Sequence, residues 1–115
     1  MLINRTGFGW IEIDNRRYNS DIIIYTDGEI EARYKDFKGD DHIISKWEAE
    51  KVIKQDKPVV FIVGTGQAGV VSIPAETKKF LSEQGIKLIA EPTPQAIQSF
   101  NNTKEKKCAI FHLTC

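Results

Sequence analysis

Three groups of residues in this sequence have the types and the spacing to do chemistry. His112 and Cys115 stand three positions apart, an imidazole and a thiol that could pair as base and nucleophile, and Glu91 is the carboxylate that would orient the imidazole. Gly64-x-Gly66-x-x-Gly69 spells the turn that lays backbone amides against a pyrophosphate in dinucleotide-binding proteins. Asp40, Asp41 and His42 are consecutive residues of metal-ligand type.

Each has a plainer reading. The dinucleotide turn works because its glycines open a helix, whereas Gly69 is followed by Val70-Val71-Ser72-Ile73-Pro74, with helical pattern resuming only at Pro74 or Ala75. The favoured reading of the glycines is therefore a tight strand-to-helix connection needing positive φ, with an anion-binding nest of amides between the two extremes. A nucleophile at Cys115, the last residue, is poorly held, and catalytic geometry needs rigid support; His112 reads more simply as a structural residue near a strand end. His42 with its two aspartates lacks the ligand spacing of a metal site. No metal and no cofactor is called for.

The elements that must position these residues follow from patterning. Val59 to Val63 is apolar at every position, as a strand buried on both faces is. Pro74 to Gln84 has helical spacing and ends at Gly85, and Ile86 to Ala90 is the next strand, completing a strand–helix–strand unit of parallel, right-handed type. Thr93 as N-cap and Pro94 at the first helical position open a helix that runs to Asn101-Asn102, and Cys108 to Leu113 is the last strand. Upstream, Ser45 and Glu48 have the spacing of a capping box for a helix reaching Gln55. Before that, strands at 9–13, 20–25 and 30–34, separated by Asp14 to Arg17 and by Asp27-Gly28, read as an antiparallel meander, with Ile30, Ala32 and Tyr34 alternating against Glu31 and Arg33. The fold class is mixed α/β: an N-terminal meander joined to parallel βαβ units, as one three-layer domain over residues 1–115.

If the strands at 59–63, 86–90 and 108–113 are parallel, their C-terminal ends form one edge. It would collect Gly64, Thr65, Gly66 and Gln67, then Glu91 and Thr93, then His112 and Cys115, which are the candidate ligand-binding residues. Open α/β sheets bind ligands there.

Composition bounds the rest. In 115 residues, Lys plus Arg and Asp plus Glu both number 16, so the formal net charge is zero. That argues against binding nucleic acid by phosphate neutralisation and leaves little charge repulsion against a homodimer. No apolar run approaches a membrane span of ~20 residues, and the N-terminal residues carry no signal-peptide core. The two cysteines, Cys108 and Cys115, would lie on opposite faces of one strand, so free thiols in a reducing cytoplasm are expected.

Several stretches together resemble a known family. They are Asp21-Ile22-Ile23-Ile24, Val63-Gly64-Thr65-Gly66, Glu91-Pro92-Thr93-Pro94-Gln95-Ala96-Ile97, Phe100-Asn101 and Phe111-His112-Leu113-Thr114-Cys115. The sequence is similar over nearly its whole length to a widespread single-domain family, first seen structurally in a methanogenic archaeon. That family includes a mammalian adipogenesis-associated protein and a mitochondrial assembly factor for respiratory complex I. The resemblance implies a three-layer α/β fold and, through the assembly factor, a protein-binding role. It supplies no catalytic residues.

Two functions from different classes are thus in play. The preferred one is a non-enzymatic binding or assembly module with a protein partner, which calls for an exposed aromatic patch; Trp10, Tyr25, Tyr34, Phe37 and Trp47 are its candidates. The other is a small-molecule binder or enzyme using the Gly64 to Gly69 edge, for an anionic or nucleotide ligand, which calls for a concave pocket there lined by Thr65, Gln67, Glu91 and His112.

Overall fold

The computed structural model describes residues 1–115. In chain order, the strands are β1 (Ile3–Gly7), β2 (Trp10–Ile13), β3 (Arg16–Tyr18), β4 (Ile22–Ile24), β5 (Ile30–Ala32), β6 (Val60–Thr65), β7 (Lys87–Glu91) and β8 (Lys107–His112). The helices are α1 (Lys46–Ile53), α2 (Ala75–Glu83) and α3 (Thr93–Asn102).

The architecture is mixed α/β, as the patterning predicts. A central sheet has the order β5-β4-β8-β6-β7. Strand β6 pairs in parallel with β7 and β8, whereas β4 pairs antiparallel with β5 and β8. The apolar run of β6 fills both faces of this sheet. Val60 and Ile62 join one core with Ala96, Ile97 and Phe100 of α3, while Phe61 and Val63 join the other with Ala49 of α1 and Leu81 of α2. All six β6 residues are buried.

The antiparallel N-terminal part is divided between two sheets. β1, β2 and β3 form a separate three-stranded sheet, and only β4 and β5 belong to the central one. Ile3, Ile11 and Ile13 of the small sheet pack into the same core as α3, so the layers are α1 with α2, the central sheet, and α3 with the small sheet. Strand β1 has no signature in the sequence because Asn4, Arg5 and Thr6 break its apolar alternation. Arg16 and Arg17 are strand rather than turn: the turn is only Asp14-Asn15, both at positive φ (50° and 67°), as two-residue hairpins between right-twisted strands require. The Asn101 side-chain amide bonds both N–H and C=O of Ile3, fastening this sheet to α3.

Two helix starts differ from expectation. Ser45 is the N-cap of α1 but makes no capping hydrogen bond, and Glu48 is buried in an ion pair instead of reaching back to it. Thr93 is the first residue of α3, after Pro92, and its hydroxyl is committed elsewhere. No helix is long and apolar enough to cross a membrane.

Candidate functional site

The parallel registers place the expected residues along one edge. Gly64 pairs with Glu91 on one side and Phe111 on the other, and Thr65 pairs with His112. Gly64 is required by close approach rather than by φ: a Cβ there would lie 2.8 Å from Thr93 Oγ1 and 2.6 Å from the Phe111 ring. Into the space left by the missing side chain comes Thr93, whose hydroxyl donates to the His112 carbonyl (2.6 Å) and accepts from the Gly66 amide (3.0 Å). Thr93 is thus a buried cross-link between α3, β8 and the glycine loop, not a helix cap.

The glycine loop is concave, and the chain itself occupies it. The Gln67 amide donates to the Thr114 carbonyl (2.7 Å), and those of Ala68 and Val70 donate to the Cys115 carbonyl (3.0 and 3.2 Å). Gly69 donates back to Gly66, and Val71 to Thr65. Every amide from Gly66 to Val71 therefore has a partner within the chain, and helix α2 starts only at Ala75. Residues 114 and 115 are held by three backbone hydrogen bonds, which makes the Cys115 backbone firmly seated although its side chain is exposed. The Gln67 side chain turns away, donating to Thr6 Oγ1 and the Gly7 carbonyl of the first hairpin.

Residues absent from the sequence-based list surround His112. Its Nδ1 lies 2.6 Å from Asp21 Oδ2, and its Nε2 lies 3.0 Å from the Thr114 hydroxyl. Glu91, expected to orient the imidazole, instead accepts from Ser99 of α3. Asp21 also accepts from the Leu113 amide, the Tyr34 hydroxyl and the Arg33 guanidinium. Arg33 in turn grips Glu48 with two nitrogens (2.8 and 3.0 Å). All four of Asp21, Arg33, Glu48 and His112 are at most 3% exposed.

Burial opposes charge on Asp21, but the hydrogen bonds from His112 and Leu113 and the charges of His112 and Arg33 outweigh it and hold the carboxyl below its ordinary range. Arg33 is likewise opposed by burial, and Glu48 and Asp21 raise its pKa nonetheless. The sequence gives no direct signal for this network, because its members are 12, 15 and 91 positions apart. Asp21, Asp41 and His112 bring donor atoms within 4.8 Å of one another, as do Asp40, Asp41 and His42. In the first group the Arg33 guanidinium already supplies the positive charge, bonding both Asp21 and the Asp41 carbonyl. No cavity of the fold is lined by His112 or Thr114.

The five candidate aromatics do not form one patch. Trp10 lies beneath Arg5 and Arg17 of the small sheet, and Tyr25 donates to Glu31. The other three form a line of ring contacts, Tyr34 edge-on to Phe37 (5.8 Å) and Phe37 tilted against Trp47 (5.6 Å), with Tyr34 44% exposed. Beyond Trp47 a groove of about 590 Å³ opens between α1 and α2. Trp47 and Phe80 form its apolar walls, and Glu50, Lys51 and Lys54 its rim.

Residues 3–112 match the model of a family described as "Protein of unknown function (DUF498/DUF598)". The chain belongs to that family. Similar solved structures include a conserved hypothetical protein of Pyrococcus horikoshii OT3, 33% identical over the whole of both chains, with a TM-score of 0.87. A second, named MT938, is 25% identical over 99% of this chain and 98% of its own, with a TM-score of 0.81. A Bordetella parapertussis protein, 20% identical over 97% and 94% of the two chains with a TM-score of 0.77, shares the fold. No curated protein matches the chain.

Proposed function

We propose that this DUF498/DUF598 domain is a non-enzymatic binding module, and that its contact surface is the groove between α1 and α2. One observation carries the reading: Tyr34, Phe37 and Trp47 form a surface aromatic line that runs into a groove walled by Trp47 and Phe80. Half-buried aromatics held beside a concavity are what interface anchors insert against. The rim selects charge. Lys51 is shared with Glu31, Lys46 sits over the Phe80 ring, and Lys54 is in none of the chain's ion pairs, so three cations stand around the groove against the single unpaired carboxylate of Glu50. The partner that fits is a peptide segment with an apolar or aromatic anchor flanked by acidic residues. The resemblance to a family containing a complex I assembly factor, which acts through protein contacts, supports the same reading.

The test is a peptide-display selection against the immobilised full chain. Enriched sequences should carry an apolar residue flanked by Asp or Glu, and should lose binding to both Trp47→Ala and Lys54→Glu. Lack of enrichment, or peptides that bind both variants as well as the parent, would overturn the proposal.

A further inference from the structure

A second concavity borders α2 at Lys78, and its location follows from topology. The connection leaving β6 passes to α2 on one face of the sheet, and the connection leaving β7 passes to α3 on the other. Adjacent parallel strands whose connections diverge leave a crevice beyond their C-terminal ends, the position where open α/β sheets take ligands. Here that crevice has a volume of about 510 Å³, within the range of small-molecule sites. Thr65 ends β6 and Glu91 ends β7; both line it, with Gly69, Ser72, Pro92 and Lys78 of α2 closing the sides.

The polar groups are few and poised. Thr65 is only 7% exposed, and its hydroxyl makes no hydrogen bond within the chain; since it is not an enclosed orphan, it opens onto the crevice. A buried hydroxyl without a protein partner costs free energy unless water or a ligand meets it. Lys78 takes part in none of the chain's ion pairs. Glu91 gives one carboxylate oxygen to Ser99, leaving the other for a ligand.

Charge and donor count select the ligand. A phosphate would need several amides, and those of Gly66 to Val71 are all committed within the chain. Only the Lys78 ammonium remains to meet an anion, and the Glu91 carboxylate repels a dianion. One positive and one negative group in a single crevice match a ligand that carries one of each.

We propose that the crevice between the ends of β6 and β7 binds a small zwitterion of the α-amino-acid class. Lys78 meets its carboxylate, Glu91 its ammonium, and the Thr65 hydroxyl a second polar atom. The side chain rests on the apolar wall of Ala68, Val71 and Pro92. This site does not depend on the groove between α1 and α2.

The test is a set of amide NMR titrations of the full chain with three separate pools at millimolar concentration. They are proteinogenic L-amino acids, α-hydroxy acids, and inorganic phosphate with nucleoside monophosphates. The amino-acid pool should shift the amides of Gly69, Ser72 and Glu91. Lys78→Met and Glu91→Gln should each weaken the responding amino acid by about tenfold or more, the loss of a charge-assisted contact. Lys79→Met, an exposed neighbour on the same helix, should leave affinity unchanged. Because Lys78 is exposed, its replacement leaves the fold intact and decides the matter even if Glu91→Gln disturbs the Ser99 contact. Absence of shifts from the amino-acid pool, shifts that survive Lys78→Met, or shifts confined to either of the other pools would overturn the proposal.

Discussion

Asp21 and His112 are 91 positions apart and meet through a 2.6 Å contact in the interior. Asp21 immediately precedes β4, the strand beside β8, and His112 ends β8, so the contact ties the antiparallel half of the central sheet to the end of the parallel half. Through Arg33 the same carboxylate reaches Glu48, and so α1. Asp21→Asn keeps the shape and removes the charge that the buried Arg33 guanidinium and the His112 imidazole face. The expected cost is roughly 3–5 kcal/mol of unfolding free energy, the scale for breaking a buried pair from one side. Urea denaturation measures it. A loss under about 1 kcal/mol, the scale of an exposed pair, would show that Glu48 alone neutralises Arg33.

The same residue sets an acid limit. The native Asp21 pKa lies below its ordinary value of 3.8. A depressed carboxyl contributes stability that is complete above the unfolded value and is lost as pH falls through the native one. Stability should therefore drop below about pH 4, and Asp21→Asn should flatten that part of the profile. A variant profile parallel to that of the parent at acid pH would assign the acid loss to other carboxylates.

Thr93 explains why part of the edge was legible and part was not. The β6 run, the glycine turn and the crossover helices follow periods of two and 3.6, which the sequence displays directly. So the expectation that Gly64, Thr65, Glu91 and His112 share one edge rests on local patterning, and the registers agree. The partners of Thr93 and Asp21 depend on which distant strands become neighbours, and no local period encodes that. Thr93-Pro94 has the letters of a helix cap, yet the hydroxyl finds a stronger use in the gap beside Gly64. Arg33 reads as the wet side of an alternating strand, but the strand ends at Ala32, and the 3-10 turn over Arg33–Asp36 swings the guanidinium inward and Tyr34 outward.

Thr93→Val tests that use. It retains the volume and orphans the Gly66 amide and the His112 carbonyl, at an expected cost of about 1–3 kcal/mol for buried groups left unpaired. Thr93→Ser, which keeps the hydroxyl, should recover most of it. Equal losses in the two variants, measured by thermal or urea unfolding, would mean that the methyl packing and not the hydrogen bonds is what matters.

Cys108 and Cys115 should differ sharply toward alkylating reagents. Cys108 is buried in the core beneath α1, and burial raises its thiol pKa well above the usual range, so the reactive thiolate is scarce and enclosed. Cys115 is exposed and free. Mass spectrometry after brief iodoacetamide treatment of native protein should find a single adduct, at Cys115, with the second appearing only in denaturant. Rapid labelling of Cys108 would show that the sheet opens locally at β8.

Gly66 holds the glycine loop against residues 114 and 115. Its φ is +104°, and a Cβ there would fall inside the Cys115 backbone carbonyl while lying 3.1 Å from the His112 ring. Gly66→Val therefore faces two penalties, a backbone conformation that β-branched residues avoid and a collision with backbone that has no alternative rotamer. The way to relieve the second is to release residues 114 and 115 from the loop. The amides of Gln67, Ala68 and Val70 would then lose their acceptors together. Hydrogen exchange should show these three amides losing protection as a group, while those of β6 and β7 exchange as in the parent until global unfolding. If protection falls uniformly across the sheet instead, the loop and the central strands form one cooperative unit. If the three amides stay protected, the seat of residues 114 and 115 tolerates the new side chain, and the close approach at Gly66 is not what fixes that segment.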